Sequence, residues 1–284
     1  MCCWRYCAPV SNFEHVQAST RAAADITVIA QRVRLGDLEI NRIGLGTNRL
    51  RNTDENVAFI RAAVGAGVQM IDTAHLYTGG ASEQTIGRAL SPISPGVIVA
   101  TKGGYGGAGR GRPEVLREEI EESLKRLRVD RFALYYLHRV DPETPIEESL
   151  GAIKEYVDRG RIERVGISQV DVPVIERARR VVAIAAVQND YSISERRYDD
   201  VVDYCTREGI VFVPFYPLHG ESSRALRETA KRHGATEKQV MLAWLLARSP
   251  VMLPIPGTLS LAHLEENLGA LSLELSEAEL EELA

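Results

Sequence analysis

The sequence predicts one α/β domain folded as a (β/α)8 TIM barrel with an N-terminal β-hairpin at the bottom of the barrel. From Val33 onward, short β-rich runs alternate with amphipathic stretches about eight times, and Gly, Pro or a capping residue bounds each run. Most of the β-rich runs are nearly all apolar, as buried parallel strands are. Polar residues then fall at or just past the C-terminal ends of five different runs: Asp72, Lys102, His138, Ser168 and Gln188. A barrel gathers such residues on one face, whereas an open doubly wound sheet, the rival built from the same units, would spread them along an edge.

The predicted strands are Arg42 to Gly46, Met70 to Asp72, Val97 to Thr101, Phe132 to His138, Arg164 to Ser168, Ile184 to Asn189, Val211 to Phe215 and Val251 to Pro254. Ahead of them, Gly36-Asp37 between two apolar arms in Arg34 to Ile40 reads as a hairpin able to plug the barrel's bottom. The stretches between strands carry apolar residues at three- and four-residue steps, as in Leu116, Ile120, Leu124, Leu127 and in Ile146, Leu150, Ile153, Val157. Pro113 starts one helix and Thr236 caps another, and the segment from Ser276 reads as a final surface helix.

A chain of 284 residues with 45% hydrophobic and 26% charged side chains can bury one large core, so residues 31–284 are expected to form a single domain. The net charge of -5 comes from interspersed acids and bases, with no basic stripe for nucleic acid or an anionic membrane, which leaves small molecules as the expected partners. No apolar run is long enough to span a bilayer. Residues 1–30 lack periodicity and hold Cys2, Cys3 and Cys7 of the four cysteines, and they read as a mobile extension. His15 is a poor fourth ligand, so no metal site is expected there. Cys205 sits in an apolar helical pattern as a core residue, and without a disulfide framework the expected compartment is the cytoplasm. A monomer is the default expectation.

The segment Ile71-Asp72-Thr73-Ala74-His75-Leu76-Tyr77, followed by Ala81-Ser82-Glu83, resembles the aldo-keto reductase signature. That family also has a Lys ending the third strand and a His ending the fourth, where this chain has Lys102 and His138. The resemblance runs from Val33 to the C-terminus and implies an oxidoreductase that reduces small aldehydes or ketones with NADPH. The chemistry suits the residue types. Reducing a carbonyl needs a hydride on carbon and a proton on oxygen, because the developing alkoxide is otherwise too basic. Tyr77 would give that proton, the Lys102 ammonium would stabilise the phenolate left behind, Asp72 would hold Lys102 charged and aimed, and His138 would orient the carbonyl oxygen. Taken singly, each has a structural reading: Asp72 as a cap, Tyr77 as a half-buried aromatic, Lys102 as a rim residue and His138 as a core histidine. These readings must all hold together to displace the catalytic one.

Gly104-Tyr105-Gly106-Gly107-Ala108-Gly109 matches the dinucleotide fingerprint GxGxxG and follows a strand. The next helix starts only after Arg110-Gly111-Arg112 and the acidic partner expected after the following strand is absent, so the glycines read as a flexible loop beside the pocket. The resemblance instead lays the dinucleotide across the top of the barrel. Gly46, Thr47 and Asp72 stand at its edge, and Ser168, Gln169 and Gln188 face the carboxamide, with Gln169 departing from the family's usual Asn. Phe215 would stack on the nicotinamide, and Tyr216, Pro217 and Leu218 would meet the pyrophosphate. The adenosine phosphate would meet Ile255, Gly257, Thr258 and His263, and Glu266 and Asn267 would meet the adenine edge. Gly257 and His263 stand where many members carry Lys and Arg, which weakens the case for a 2′-phosphate and keeps NADH as an alternative to NADPH. A nucleotide-sensing binding module of the same fold is the alternative function. It would retain the cofactor site without needing an intact proton donor.

Overall fold

In the computed structural model, residues 31–283 are described. The N-terminal extension with Cys2, Cys3, Cys7 and His15 lies outside them. Strand β1 (Arg32–Leu35) pairs antiparallel with β2 (Leu38–Asn41) as the expected hairpin, and Gly36 takes the left-handed conformation its two-residue turn requires. Seven parallel strands follow in sequential order: β3 (Leu45–Gly46), β4 (Met70–Asp72), β5 (Ile98–Gly103), β6 (Leu134–Leu137), β7 (Val165–Ser168), β8 (Ile184–Gln188) and β9 (Val211–Phe212). Between and after them run α1 (Asp54–Gly65), α2 (Ala81–Leu90), α3 (Pro113–Leu127), α4 (Ile146–Asp158), α5 (Val172–Arg179), α6 (Asp199–Glu208), α7 (Arg224–His233), α8 (Glu237–Arg248), α9 (Leu261–Gly269) and α10 (Glu277–Glu282). Pro113 opens α3, and Thr236 and Ser276 each form a capping box at the start of α8 and α10.

The eighth predicted strand, Val251 to Pro254, closes the barrel without becoming a regular strand. Toward β9, Phe212 N–H donates to Val251 C=O (3.0 Å) and Leu253 N–H to Phe212 C=O (2.8 Å). Toward β3, Gly44 N–H donates to Pro254 C=O (2.9 Å) and Gly46 N–H to Pro256 C=O (3.1 Å). The residues whose carbonyls face β3 are prolines, so the N–H groups that would complete that ladder do not exist. Pro214 truncates β9 after Phe212 for the same reason, although Phe215 still bridges to Asp190.

Alternation along the strands sorts side chains into two layers. Ile71, Val99, Tyr135, Leu137, Ile167, Val187 and Phe212 face the helices. Met70, Ile98, Ala100, Leu134, Tyr136, Ala186, Val211, Val213, Leu253 and Ile255 fill the barrel interior, where Val33, Leu35 and Ile40 of the hairpin join them. The hairpin is fixed at the N-terminal mouth by Arg164, just before β7, which pairs with Asp37 of the turn. Asn41 adds contacts to Gln69 Oε1 (3.0 Å) and Gly67 C=O (3.1 Å), just before β4.

Arg42 fastens the closure from the same end. Its wholly buried guanidinium donates to Met252 C=O (3.0 Å), Leu246 C=O (2.8 Å) and Ser249 C=O, so it also satisfies a C-terminal carbonyl of α8. Replacing it with Leu leaves these buried acceptors without their donor and is expected to cost about 3–5 kcal/mol in urea unfolding. A loss below about 0.5 kcal/mol would show that closure does not rest on Arg42.

Candidate active site

The interior parity that builds the core continues one step further at the C-terminal mouth, where polar side chains replace apolar ones. Asp72, two residues after Met70, and Lys102, two after Ala100, point inward, as do His138, two after Tyr136, and Gln188, two after Ala186. The chain after β4 continues its ladder with β5 through Thr73 N–H to Ala100 C=O (2.9 Å) and His75 N–H to Lys102 C=O (2.9 Å). It then enters a short 3-10 turn at Tyr77–Gly80, which turns Tyr77 back over the mouth.

Lys102 has no solvent exposure and spends all three ammonium protons on protein oxygens. It donates to Asp72 Oδ1 (2.5 Å), Thr73 C=O (2.8 Å) and Tyr77 Oη (3.3 Å). Gln188 Nε2 donates to the other Asp72 oxygen, Oδ2, at 2.8 Å. Burial pushes the Lys102 pKa down, but the Asp72 carboxylate and the Tyr77 phenol outweigh it and leave the pKa above its ordinary value. Burial also raises the Tyr77 phenol, against the opposing pull of Lys102. Across from Tyr77, with ring centroids 6.0 Å apart, His138 is lowered to about 2 by burial and by the charges of Lys102 and Arg139. At neutral pH the site therefore holds a phenol with its proton, a charged ammonium and a neutral imidazole.

Buried hydroxyls lock this arrangement. Thr47 Oγ1 donates to Asp72 C=O (2.8 Å) and meets Ser82 Oγ (2.9 Å), which in turn meets Thr73 Oγ1 (2.7 Å). The fully buried Glu83 accepts from Thr101 Oγ1 (2.6 Å) and pairs with Arg126 (3.4 Å). The glycine tract after β5 lies beside the pocket as expected, but it is anchored. Gly104 N–H donates to Glu119 Oε2 (2.6 Å), and Gly109 and Gly111 N–H groups donate to the two oxygens of Asp141 (3.0 and 2.7 Å). That anchoring sets the exposed Tyr105 ring 4.7 Å from the His138 ring.

These groups open on a cleft of about 750 Å3. Of the residues expected at the site, Gly46, Thr47, Asp72, Tyr77, His138, Gln188, Phe215, Tyr216, Pro217, Leu218, Ile255, Gly257, Thr258 and His263 line it. Lys102 lies behind Asp72 and Tyr77. Ser168 is buried behind Arg139, which donates to its Oγ at 3.0 Å. Gln169 takes a left-handed backbone and accepts from Asp190 N–H through its Oε1 (2.8 Å). Glu266 accepts from Thr236 Oγ1 (2.7 Å), and Asn267 is buried beside it on α9, so both lie outside the lining. Sequence reasoning did not single out Asn48, Arg49, Tyr105, Arg139 and His219, which line the cleft. Tyr105, the one aromatic in a glycine tract, carried a signal. Arg139 follows an inward-facing residue and by strand parity should face away; it turns back into the cleft because β6 ends at Leu137.

A family model described as the aldo/keto reductase family matches residues 42–284. The chain belongs to the aldo/keto reductase family. The pyridoxine 4-dehydrogenase of Escherichia coli is 36% identical over 276 residues, covering 88% of this chain and 96% of that protein. Among solved structures, a thermostable aldo-keto reductase complexed with the inhibitor epalrestat shares 34% identity at a TM-score of 0.83, covering 89% of this chain and 98% of that one. An aldo-keto reductase from Klebsiella pneumoniae complexed with NADPH shares 28% identity at a TM-score of 0.80, over 89% and 93% of the two chains. Membership makes the chain an oxidoreductase on a barrel of this type.

Within this aldo/keto reductase, Asp72 and Lys102 should behave as one energetic unit. Lys102→Met alone leaves a buried carboxylate without its cation and is expected to cost about 3–5 kcal/mol. A double-mutant cycle with Asp72→Asn, followed by chemical unfolding, should give a coupling above about 1 kcal/mol. Strict additivity would mean that the pair is not coupled.

Proposed function

We propose that this aldo/keto reductase reduces small aldehydes or ketones to alcohols, with NADPH as the preferred cofactor and Tyr77 as the proton donor. One observation carries the reading. A buried ammonium, Lys102, contacts a carboxylate on one side and the phenol oxygen of Tyr77 on the other, at the mouth of a cleft large enough for a dinucleotide's reactive end.

The residues present fit a dinucleotide phosphate. Asp72 is the only carboxylate among the described residues lining the cleft, and Lys102 neutralises it, while Arg49, Arg139, His219 and His263 also line it. Such a wall attracts a polyanion. Gln188 and Phe215 would hold the nicotinamide end, with Ser168 behind Arg139 rather than on the lining, Tyr216 to Leu218 the pyrophosphate, and Gly257, Thr258 and His263 the adenosine phosphate at the start of α9. When bound, the reduced cofactor supplies the hydride. The NADPH complex of the Klebsiella relative supports this choice, and the name of the E. coli relative supports substrates about the size of pyridoxine.

The chain's own residues handle the oxygen. Tyr77 and neutral His138 face each other across the place where a carbonyl oxygen can accept from both, and each can donate one hydrogen bond to it. As negative charge builds on that oxygen, the Tyr77 proton transfers to it. The phenolate left behind is stabilised by Lys102, which already touches Tyr77 Oη, and Asp72 with Thr73 C=O keeps Lys102 charged and in place. His138 needs no proton change to play its part, because its low pKa keeps it neutral throughout.

Mixing the protein with NADPH and nitrobenzaldehyde and following the reduced cofactor's absorbance tests the reading directly. NADPH binding without turnover across a broad carbonyl panel would favour a nucleotide sensor instead. Tyr77→Phe should lower kcat by about 10²–10⁴ while the NADPH Kd changes less than about threefold, and near-parental kcat would remove Tyr77 from the proton path. With saturating NADPH, kcat should stay level between about pH 5.5 and 8.5, because His138 titrates far below this range and Tyr77 above it. A limb centred between about pH 6 and 7 would show that His138 protonates during turnover.

A further inference from the structure

We infer that Arg139 recognises an anionic substituent, a carboxylate or a phosphate, on the carbonyl substrate. The inference rests on the carbonyl reduction proposed above and assigns its substrate class. Arg139 is half-buried in the cleft wall, where burial lowers its pKa from the usual arginine value. Its guanidinium lies 5.3 Å from the Tyr105 ring and 5.7 Å from the Phe215 ring. Nη1 donates to the carbonyl of His138 (2.7 Å) and to Ser168 Oγ (3.0 Å), both neutral acceptors. No carboxylate among the described residues comes within 4.0 Å of it. Asp190, on the segment after β8, faces Arg197 instead, at 3.9 Å.

Several other partly buried arginines in this molecule pair with acids. Arg126 pairs with Glu83 and Glu122, Arg110 with Glu119, and Arg248 with Asp199 and Asp203. A guanidinium held half out of water with no carboxylate in contact, Asp190 acting on it only from beyond 4.0 Å, carries a desolvation cost that a ligand anion can offset. Its Nε and Nη2 make no hydrogen bond to protein and are not sealed from solvent, so they remain available as a donor fork.

Position fixes the ligand's shape. Tyr105 lies 4.7 Å from the His138 ring and 5.3 Å from the Arg139 guanidinium, so the cation stands one aromatic ring beyond the imidazole that faces Tyr77. A substituent a few bonds from a carbonyl placed between Tyr77 and His138 can therefore reach Arg139 along the Tyr105 side of the cleft. Aromatic or short-chain aldehydes bearing a carboxylate or phosphate fit that description.

The test compares kcat/KM for 4-formylbenzoate, 4-formylphenyl phosphate and the neutral methyl 4-formylbenzoate in the parent, Arg139→Gln and Arg139→Lys. The charged-to-neutral ratio should fall about tenfold or more in Arg139→Gln and by less in Arg139→Lys, which keeps the charge and loses the fork. The two anionic substrates show which anion is preferred. Calorimetry of 4-(hydroxymethyl)benzoate binding to the NADPH-saturated protein, a pair that cannot react, supplies a readout that needs no turnover, and affinity should fall about tenfold in Arg139→Gln. An unchanged ratio, or equal benzoate affinity in parent and Arg139→Gln, overturns the inference. Absence of turnover on every carbonyl would sink the reductase reading, while the binding comparison would still decide this one.

Discussion

The buried contact between Asp72 and Lys102 sets the terms for everything around it. An ammonium with no exposure is tolerable only if each of its protons meets an oxygen and its charge meets an opposite one, and here Asp72, Thr73 and Tyr77 meet all of these demands. Meeting them requires two strand ends and the following turn to be held to within tenths of an ångström. The continued ladder between the chain after β4 and β5, and the hydroxyl cluster of Thr47, Thr73 and Ser82, supply that precision. Tyr77 gains its neighbour as a by-product of solving the Lys102 problem. The geometry proposed for catalysis and the bonds that make a buried Lys102 tolerable are the same set.

The barrel supports this pair by closing with an incomplete eighth staple. Pro254 and Pro256 remove the donors that would face β3, and Arg42 replaces part of the lost cross-linking from below with side-chain donors to Met252, Leu246 and Ser249. The irregular segment then arrives at the catalytic mouth as Ile255 to Ser260, loop rather than strand, where its backbone and side chains line the cleft. At the opposite mouth the hairpin contributes Val33, Leu35 and Ile40 to the interior core. The barrel is thus sealed at the hairpin end and open at the catalytic end.

What was legible in the sequence followed from period and parity. Apolar runs of four to six residues gave the inner strands, and Asp72, Lys102, His138, Ser168 and Gln188 could be placed on one mouth because each ends a β-rich run; in the fold Asp72, Lys102, His138 and Gln188 each lie two residues beyond an interior residue. Legibility failed where the chain leaves the period. Val251 to Pro254 has the composition of a strand, but its proline continuation forbids the ladder. Arg139 and Gln169 sit just past strand ends, where parity no longer governs direction, so one enters the cleft unannounced and the other turns to Asp190. Glu266 looked available on α9 but is engaged by Thr236, a contact between residues thirty apart that no local pattern encodes. Glu119 did leave a trace, because it falls three residues after Leu116 and four before Ser123, on the buried stripe of α3. An acid there has to be answering a buried donor, and it answers Gly104 N–H and Arg110.

The electrostatics of the cleft run against those of the whole molecule. A chain with net charge -5 concentrates Arg49, Arg139 and Lys102 around one opening, where the described residues place a single carboxylate, already neutralised. This arrangement holds His138 neutral, since any proton it took would be desolvated and would face two fixed cations. With the imidazole neutral, Tyr77 is the acidic group that the proposed reduction sets against the reacting oxygen. Lys102 pulls the Tyr77 pKa down, while burial outweighs it and keeps the phenol protonated at neutral pH. In the reduction proposed, a cationic pocket with a reluctant acid suits the build-up of negative charge on a carbonyl oxygen and its discharge by proton transfer. For alcohol oxidation the same Tyr77 would have to start as the phenolate, the form that its burial disfavours.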